Sequence, residues 1–205
     1  MTTEIYINHY ILPEVRMKEA LGYAGARHDD KQSSAMLGEL ALEFADAFMA
    51  KAVYRILPIR RTDADVLILD RSVRSRALSS LLKDCSYIAL LVATVGLQID
   101  RLVMKNESCS PTRALLLSAL GSERAERAAD AVTEEIRAIA EREGFLLTRR
   151  FSPGYSDLPL DFQREIFALL KPSAIGVSLG EGLLMTPKKT VSAVIGLKNA
   201  GMKNE

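Results

Sequence analysis

Residues 86–95 read Ser-Tyr-Ile-Ala-Leu-Leu-Val-Ala-Thr-Val, an apolar run without a single charge. Such a run suits a central strand buried inside a sheet, and it falls well short of a membrane span. The rest of the chain has to supply that strand's neighbours. Residues 4–12 alternate enough for an early strand closed by Pro13, and residues 53–59 and 66–69 are β-rich runs. Arg60-Arg61-Thr62-Asp63 separates the last two as a hairpin connection. Residues 145–149, 177–185 and 191–197 read as further strands.

Helical patterns lie between them. Residues 14–22 form a short helix, with a loop at 23–28 containing Gly25. Asp29-Asp30 supplies cap chemistry for a long helix running to about Lys51, in which Met36, Leu40, Phe44, Ala47 and Phe48 recur at helical spacing. Residues 72–82 are helix-like, and so are residues 160–170. Ser110-Pro111 opens another helical region, Gly121-Ser122 punctuates it, and Ser122 caps the next helix. There Ala125, Ala129, Val132, Ile136 and Ile139 form an apolar stripe opposite Arg127, Asp130, Glu134, Arg137 and Glu141, with Gly144 as the stop. Residues 198–205 form a polar, loose tail. With strands and helices interspersed and strand pairs at both ends, residues 1–205 read as one α+β domain with a mainly antiparallel sheet packed with helices.

Lys plus Arg is 27 and Asp plus Glu is 26, for a formal net charge of +1. That balance argues against nucleic acid or an anionic membrane as partner. The short basic clusters Arg60-Arg61, residues 71–76 and Lys188-Lys189 leave room for a patch that docks an acidic protein. Cys85 and Cys109 are isolated, with Cys85 a buried reduced thiol and Cys109 in a loop, as suits a reducing cytoplasm. The N-terminus shows no signal-peptide pattern. His9 and His28 are likewise isolated, and His28-Asp29-Asp30 lacks a second ligand pair, so no metal site is expected. Neither a phosphate-cradling P-loop nor a dinucleotide-binding glycine fingerprint is present, and Gly176, Gly180 and Gly182 have the wrong spacing for either.

The stretch richest in binding chemistry is Arg149-Arg150-Phe151-Ser152-Pro153-Gly154-Tyr155. Pro153 locks its own φ and pushes Ser152 to an extended conformation, while Gly154 admits a backbone or ligand where a Cβ would block it. Arg150 offers a forked cation and Tyr155 a flat face with a polar tip. A turn of this kind suits a small zwitterion that carries an aromatic ring. A loop with a surface arginine and a half-buried tyrosine is the plainer reading.

Arg150-x-x-x-Gly154-Tyr155 resembles the S-adenosylmethionine-binding motif of the activation domain of cobalamin-dependent methionine synthase. The longer run through Ser156-Asp157, with Gln163 after it, looks like the version in stand-alone relatives of that domain. Met185-Thr186-Pro187, leading to a strand at Val191-Ser192, is similar to the family's Met-x-Pro segment. Ala93-Thr94-Val95-Gly96 and Leu120-Gly121-Ser122-Glu123 follow the family's order, so the resemblance covers about residues 85–197. It implies S-adenosylmethionine bound by Arg150, Ser152, Gly154 and Tyr155. A carboxylate from the preceding helix joins them, Asp130 by position, with Glu126 or Glu134 one turn away.

The family's task is repair: an oxidised cob(II)alamin is reduced by one electron and remethylated from S-adenosylmethionine. The resemblance thus implies a reactivation subunit for a cobalamin-binding methyltransferase such as methionine synthase, in methionine biosynthesis, with a flavodoxin-like electron donor. Cobalamin would be met only through that partner, because no Asp-x-His-x-x-Gly motif is present. No catalytic acid or base of its own is expected. The family also supplies a later tyrosine, whereas no Tyr follows Tyr155 here, so part of the pocket is expected to be missing or supplied by a partner. The alternative is a non-catalytic binding or assembly protein of the same fold that has lost S-adenosylmethionine.

Overall fold

The computed structural model describes residues 3–27 and 29–201. In chain order the elements are β1 (Ile5–His9), α1 (Met17–Tyr23), α2 (Lys31–Glu43), β2 (Lys51–Arg61), β3 (Asp65–Ile68), β4 (Arg71–Arg74), α3 (Arg76–Leu81) and β5 (Cys85–Thr94). They continue with α4 (Gln98–Glu107), α5 (Pro111–Arg142), β6 (Phe145–Leu147), α6 (Phe162–Leu170), β7 (Ser178–Leu179), β8 (Met185–Thr186) and β9 (Thr190–Asn199). Seven strands form an antiparallel sheet in the order β4-β3-β2-β5-β9-β6. β1 shares one edge of β2 with β3, pairing along residues 51–55 while β3 takes residues 59–61. β7 and β8 make a separate two-stranded pair. This is a single mixed α+β domain, as expected.

The apolar run is indeed central: β5 lies between β2 and β9, and helices cover both of its faces. Ile88, Leu90 and Val92 join Val53, Leu57 and Val194 in one core, with Phe162, Ile166, Leu169 and Leu170 of α6 and Leu78 of α3. Ala89, Leu91 and Ala93 join Ala52, Ala193 and Ile195 in the other, with α1, α2, α4 and α5. The two faces differ in side-chain size for a reason. Ala52, Ala89, Ala93 and Ala193 share this core with the small residues Ala125, Ala128 and Ala129 of α5, a pairing of small side chains that lets a long helix lie low on the sheet.

Several boundaries depart from the sequence pattern. α2 stops at Glu43 rather than near Lys51, because Phe44 leaves helical geometry, a short 3-10 turn follows, and Lys51 is already in β2. Asp30 is its cap, accepting from the Ser33 amide at 3.0 Å. Residues 71–74 form β4 rather than the start of a helix, since they complete a meander with β3, and Ser75 then caps α3. Gly121-Ser122 does not punctuate anything. α5 runs unbroken for 32 residues, and the Ser122 hydroxyl donates back to the Ser118 carbonyl at 3.1 Å instead of capping. Residues 177–185 split into β7 and β8 around a turn, and Lys198 and Asn199 belong to β9 rather than to a tail. Residues 202–205 and the reading of His28 lie outside the described residues.

Cys85 is half-buried, and burial pushes its thiol up to about 11; Cys109 is exposed between α4 and α5. Among the described residues no helix is long and apolar enough to cross a membrane, and no His, Cys, Asp and Glu cluster could hold a metal ion.

One polar knot ties β1 and β2 to α5. The Glu135 carboxylate accepts from Asn8 Nδ2 at 2.6 Å, the Tyr10 hydroxyl at 2.5 Å and the Tyr54 hydroxyl at 2.8 Å. Tyr54 is fully buried and stacks on Tyr6 at 5.0 Å between ring centroids. Burial first, and then the bond to Glu135, raise the pKa of Tyr10 and of Tyr54 well above the ordinary 10.0. Replacing Glu135 with Ala strands these donors and should lower unfolding free energy by about 1–3 kcal/mol in urea titrations at neutral pH. The tyrosines also set an alkaline limit. Below the ordinary value of 10.0 both states keep the phenol protons, so this contribution is fully present. Above it only the unfolded chain ionises, so stability should fall as pH rises towards the higher folded values. Thermal unfolding across that range should fall less steeply for Tyr10→Phe than for the parent.

Candidate functional site

β9 positions the Arg/Gly/Tyr turn. Beyond β6 the chain stays on the edge of β9: the Thr148 amide donates to the Gly196 carbonyl at 2.9 Å, and Thr148 Oγ1 accepts from the Gly196 amide at 2.8 Å. Phe151 and Val194 then exchange both backbone bonds, at 2.9 and 2.8 Å. With its neighbour Phe151 buried in the core, Arg150 points at α5.

Gly154 follows Pro153 at φ +88°, a conformation that side chains with a Cβ rarely adopt. Its amide donates to the Leu158 carbonyl at 2.9 Å, and the Tyr155 amide donates to the Ser152 carbonyl at 3.2 Å, closing the turn on itself. Asp157 fastens it to α3, accepting from Ser75 Oγ at 2.6 Å and from the Arg76 and Ala77 amides at 2.8 and 3.1 Å. Those bonds, the Ser75 hydroxyl foremost, hold its carboxyl below the usual range. Gln163 is buried, with Nε2 3.4 Å from Ser192 Oγ, while its Oε1 has no hydrogen-bond partner among the described residues.

Arg150 sits between two carboxylates one helical turn apart. Its Nη2 donates to Glu126 Oε2 at 2.8 Å, and its Nη1 stands 3.1 Å from Asp130 Oδ1, an ion pair without hydrogen-bond alignment. Asp130 also faces Arg16 at 3.3 Å and Arg127 at 3.7 Å. The structure therefore brings Asp130 and Glu126 together under Arg150, and leaves Glu134 in an exposed pair with Arg137. Tyr155 is 68% exposed at the rim, and Ser152 is half-buried in the turn.

The sequence pattern missed Tyr23. At the end of α1 its side chain is half exposed, and burial first, then the charges of Glu126, Glu19 and Glu123 and the nearby Tyr155, raise its pKa above the ordinary value. An aromatic ring from the first helix thus stands near the turn. No local signal marks it, because α1 is placed by packing on α5. A hollow of about 210 Å³ opens here, lined by Tyr23, Ser122, Ala125, Glu126, Lys188 and Lys189, with Thr190 and Val191. A larger apolar hollow of about 860 Å³ lies between the β1–α1 connection and α2, bordered by Leu12, Val15, Leu42 and Phe48. None of the turn residues lines it.

Among solved structures, the chain is similar to the MetH reactivation domain bound to AdoHcy. The TM-score is 0.70 over 98% of this chain and 80% of that one, at 16% sequence identity. The chain has the MetH reactivation domain fold. The likeness extends through the first helices and β1, where the sequence resemblance was weak. No protein-family model matches the chain, and no curated protein does.

Within this fold the turn makes a clear demand on Gly154. A Cβ there would adopt a left-handed backbone and stand 3.3 Å from Leu160 Cδ1. Gly154→Val should cost about 1–3 kcal/mol in urea unfolding, and Gly154→Ala less.

Proposed function

We propose that this chain binds S-adenosylmethionine and reactivates a cobalamin-dependent methionine synthase or a related corrinoid methyltransferase. The observation that carries this reading is the Arg150–Glu126–Asp130 cluster, set beside the Gly154 turn with Tyr155 and Tyr23 flanking it. The similar structure is bound to AdoHcy, the product that remains when S-adenosylmethionine loses its methyl group. Two carboxylates in a row suit the ligand's ammonium and sulfonium charges, and exposed aromatic faces suit its adenine or its cationic sulfur.

The chemistry belongs to the cofactors. Bound S-adenosylmethionine would supply the methyl group, and a partner's corrinoid, reduced by one electron from a flavodoxin-like donor, would accept it and leave S-adenosylhomocysteine. The chain contributes position and exclusion of water, without acid–base work. In this reading the corrinoid is carried by a cobalamin-binding partner and reaches the site transiently, in the cytoplasm.

Calorimetric titration with S-adenosylmethionine and S-adenosylhomocysteine should show saturable binding, weakened by about 1.5–3 kcal/mol in Arg150→Ala through loss of a charge-assisted contact to the ligand. Added to an oxidised corrinoid methyltransferase with reductant and S-adenosylmethionine, the protein should speed the return of the methylcobalamin absorbance. No binding heat at millimolar ligand, together with unchanged recovery rates, would favour an assembly protein of the same fold.

A further inference from the structure

The larger hollow, about 860 Å³ between the β1–α1 connection and α2, has no role in the methyl chemistry. α2 lines it with the small residues Gly38 and Ala41, and Ala45 follows just beyond the helix. The connection lines it with Leu12 and Val15, and α1 with Met17. Two large apolar side chains that also line it lie open to solvent: Ile11 is 100% exposed and Leu42 is 84% exposed. A single exposed leucine is ordinary, but two such residues on facing elements of one apolar hollow mark a place where something docks.

The hollow is formed in advance. The buried Glu123–Arg124 pair spends its remaining bonds on the connection. The Arg124 guanidinium donates to the Pro13 and Glu14 carbonyls at 2.6 and 3.2 Å, and Glu123 accepts from the Arg16 amide at 3.0 Å. Backbone held at these residues loses little freedom when a partner arrives, which lowers the cost of binding. Beside α2 the space is open, since a Cβ on Gly38 would meet only Met17 Cε, at 3.9 Å.

Charge selects the occupant. Glu14 and Asp46 line the hollow, both are exposed, and neither has a cationic partner among the described residues. Arg124, the one cation in the lining, is neutralised by Glu123 at 2.6 Å. The C-terminal end of α2 also lies here, and its last turn holds no basic residue, so its carbonyls add partial negative charge. Arg113 pairs with Glu43 nearby but is not part of the lining.

We propose that this hollow is the docking groove for an amphipathic helix of a partner protein, with large aliphatic or aromatic side chains along one face and Lys or Arg beside them. Apolar side chains three and four residues apart would seat against Gly38, Ala41 and Ala45, while the flanking cations face Glu14, Asp46 and the end of α2. Its volume lies in the upper part of the roughly 300–1,000 Å³ usual for whole ligand sites, which is room for several such side chains. None of the Arg/Gly/Tyr turn residues lines it, so this docking is independent of S-adenosylmethionine binding.

Two labelled amphipathic peptides with the same leucine face, one flanked by lysine and the other by glutamate, probe the full chain by fluorescence anisotropy. The lysine peptide should bind saturably, and at least roughly tenfold more tightly than the glutamate peptide. The pair Ile11→Ser and Leu42→Ser, at exposed positions that the fold does not need, should weaken the lysine peptide by roughly tenfold. Glu14→Lys with Asp46→Lys should reverse the preference between the peptides. Absence of lysine-peptide binding, equal binding of both peptides, or an unchanged preference in the double-lysine variant overturns the proposal. Self-association of the parent in sedimentation, abolished in the double-serine variant, overturns it too, because the groove would then belong to a second copy.

Discussion

The low seat of α5 on the sheet is the contact on which the rest of the molecule depends. Alanines on β2, β5 and β9 share one core with Ala125, Ala128 and Ala129, so helix and sheet approach with little between them. α5 thereby packs against β2, β5, β6 and β9 below and α1, α2 and α4 beside it. At 1.5 Å per residue its 32 residues span about 48 Å, long enough to serve several sites. Its middle carries Glu126 and Asp130 under Arg150, its first half carries Ser118, Gly121 and Ser122 under Lys189, and Glu135 holds β1 and β2.

Charge on this helix is sorted by burial. Glu123 and Arg124 are buried and satisfy each other and their surroundings: the Arg124 guanidinium also donates to the Pro13 and Glu14 carbonyls, and Glu123 accepts from the Arg16 amide. That network fixes the entry to α1, and so the place of Tyr23 at its far end. Breaking a buried pair of this kind strands a charge and costs far more than losing an exposed one. The Arg150 cluster is less buried and its pairs are worth correspondingly less.

Much of the candidate site was legible in the chain because its chemistry is local. Arg150, Gly154 and Tyr155 lie within one turn, and the positive φ of Gly154 is a demand that only the backbone makes. The helix register was legible only to within a turn. Asp130 and Glu126 proved to be joint partners of one guanidinium, a result that depends on where β9 carries Arg150 rather than on α5 itself. Tyr23 was invisible in the sequence pattern, since it reaches the hollow from an element remote in sequence.

By itself the sequence determined the central strand, the antiparallel α+β class, the α5 stripe and the conformation of the Arg/Gly/Tyr turn. All of these stem from residue-by-residue polarity and backbone freedom, which act over a few positions. Tertiary structure decided what Gly121 is for, where α2 stops, and that residues 71–74 pair as a strand. In each case local preference is weak, about 1 kcal/mol or less per residue, and burial against a distant segment outweighs it. A glycine that ought to interrupt a helix instead lets a lysine cross it, because the space it leaves is occupied by β9's approach and by Ile99.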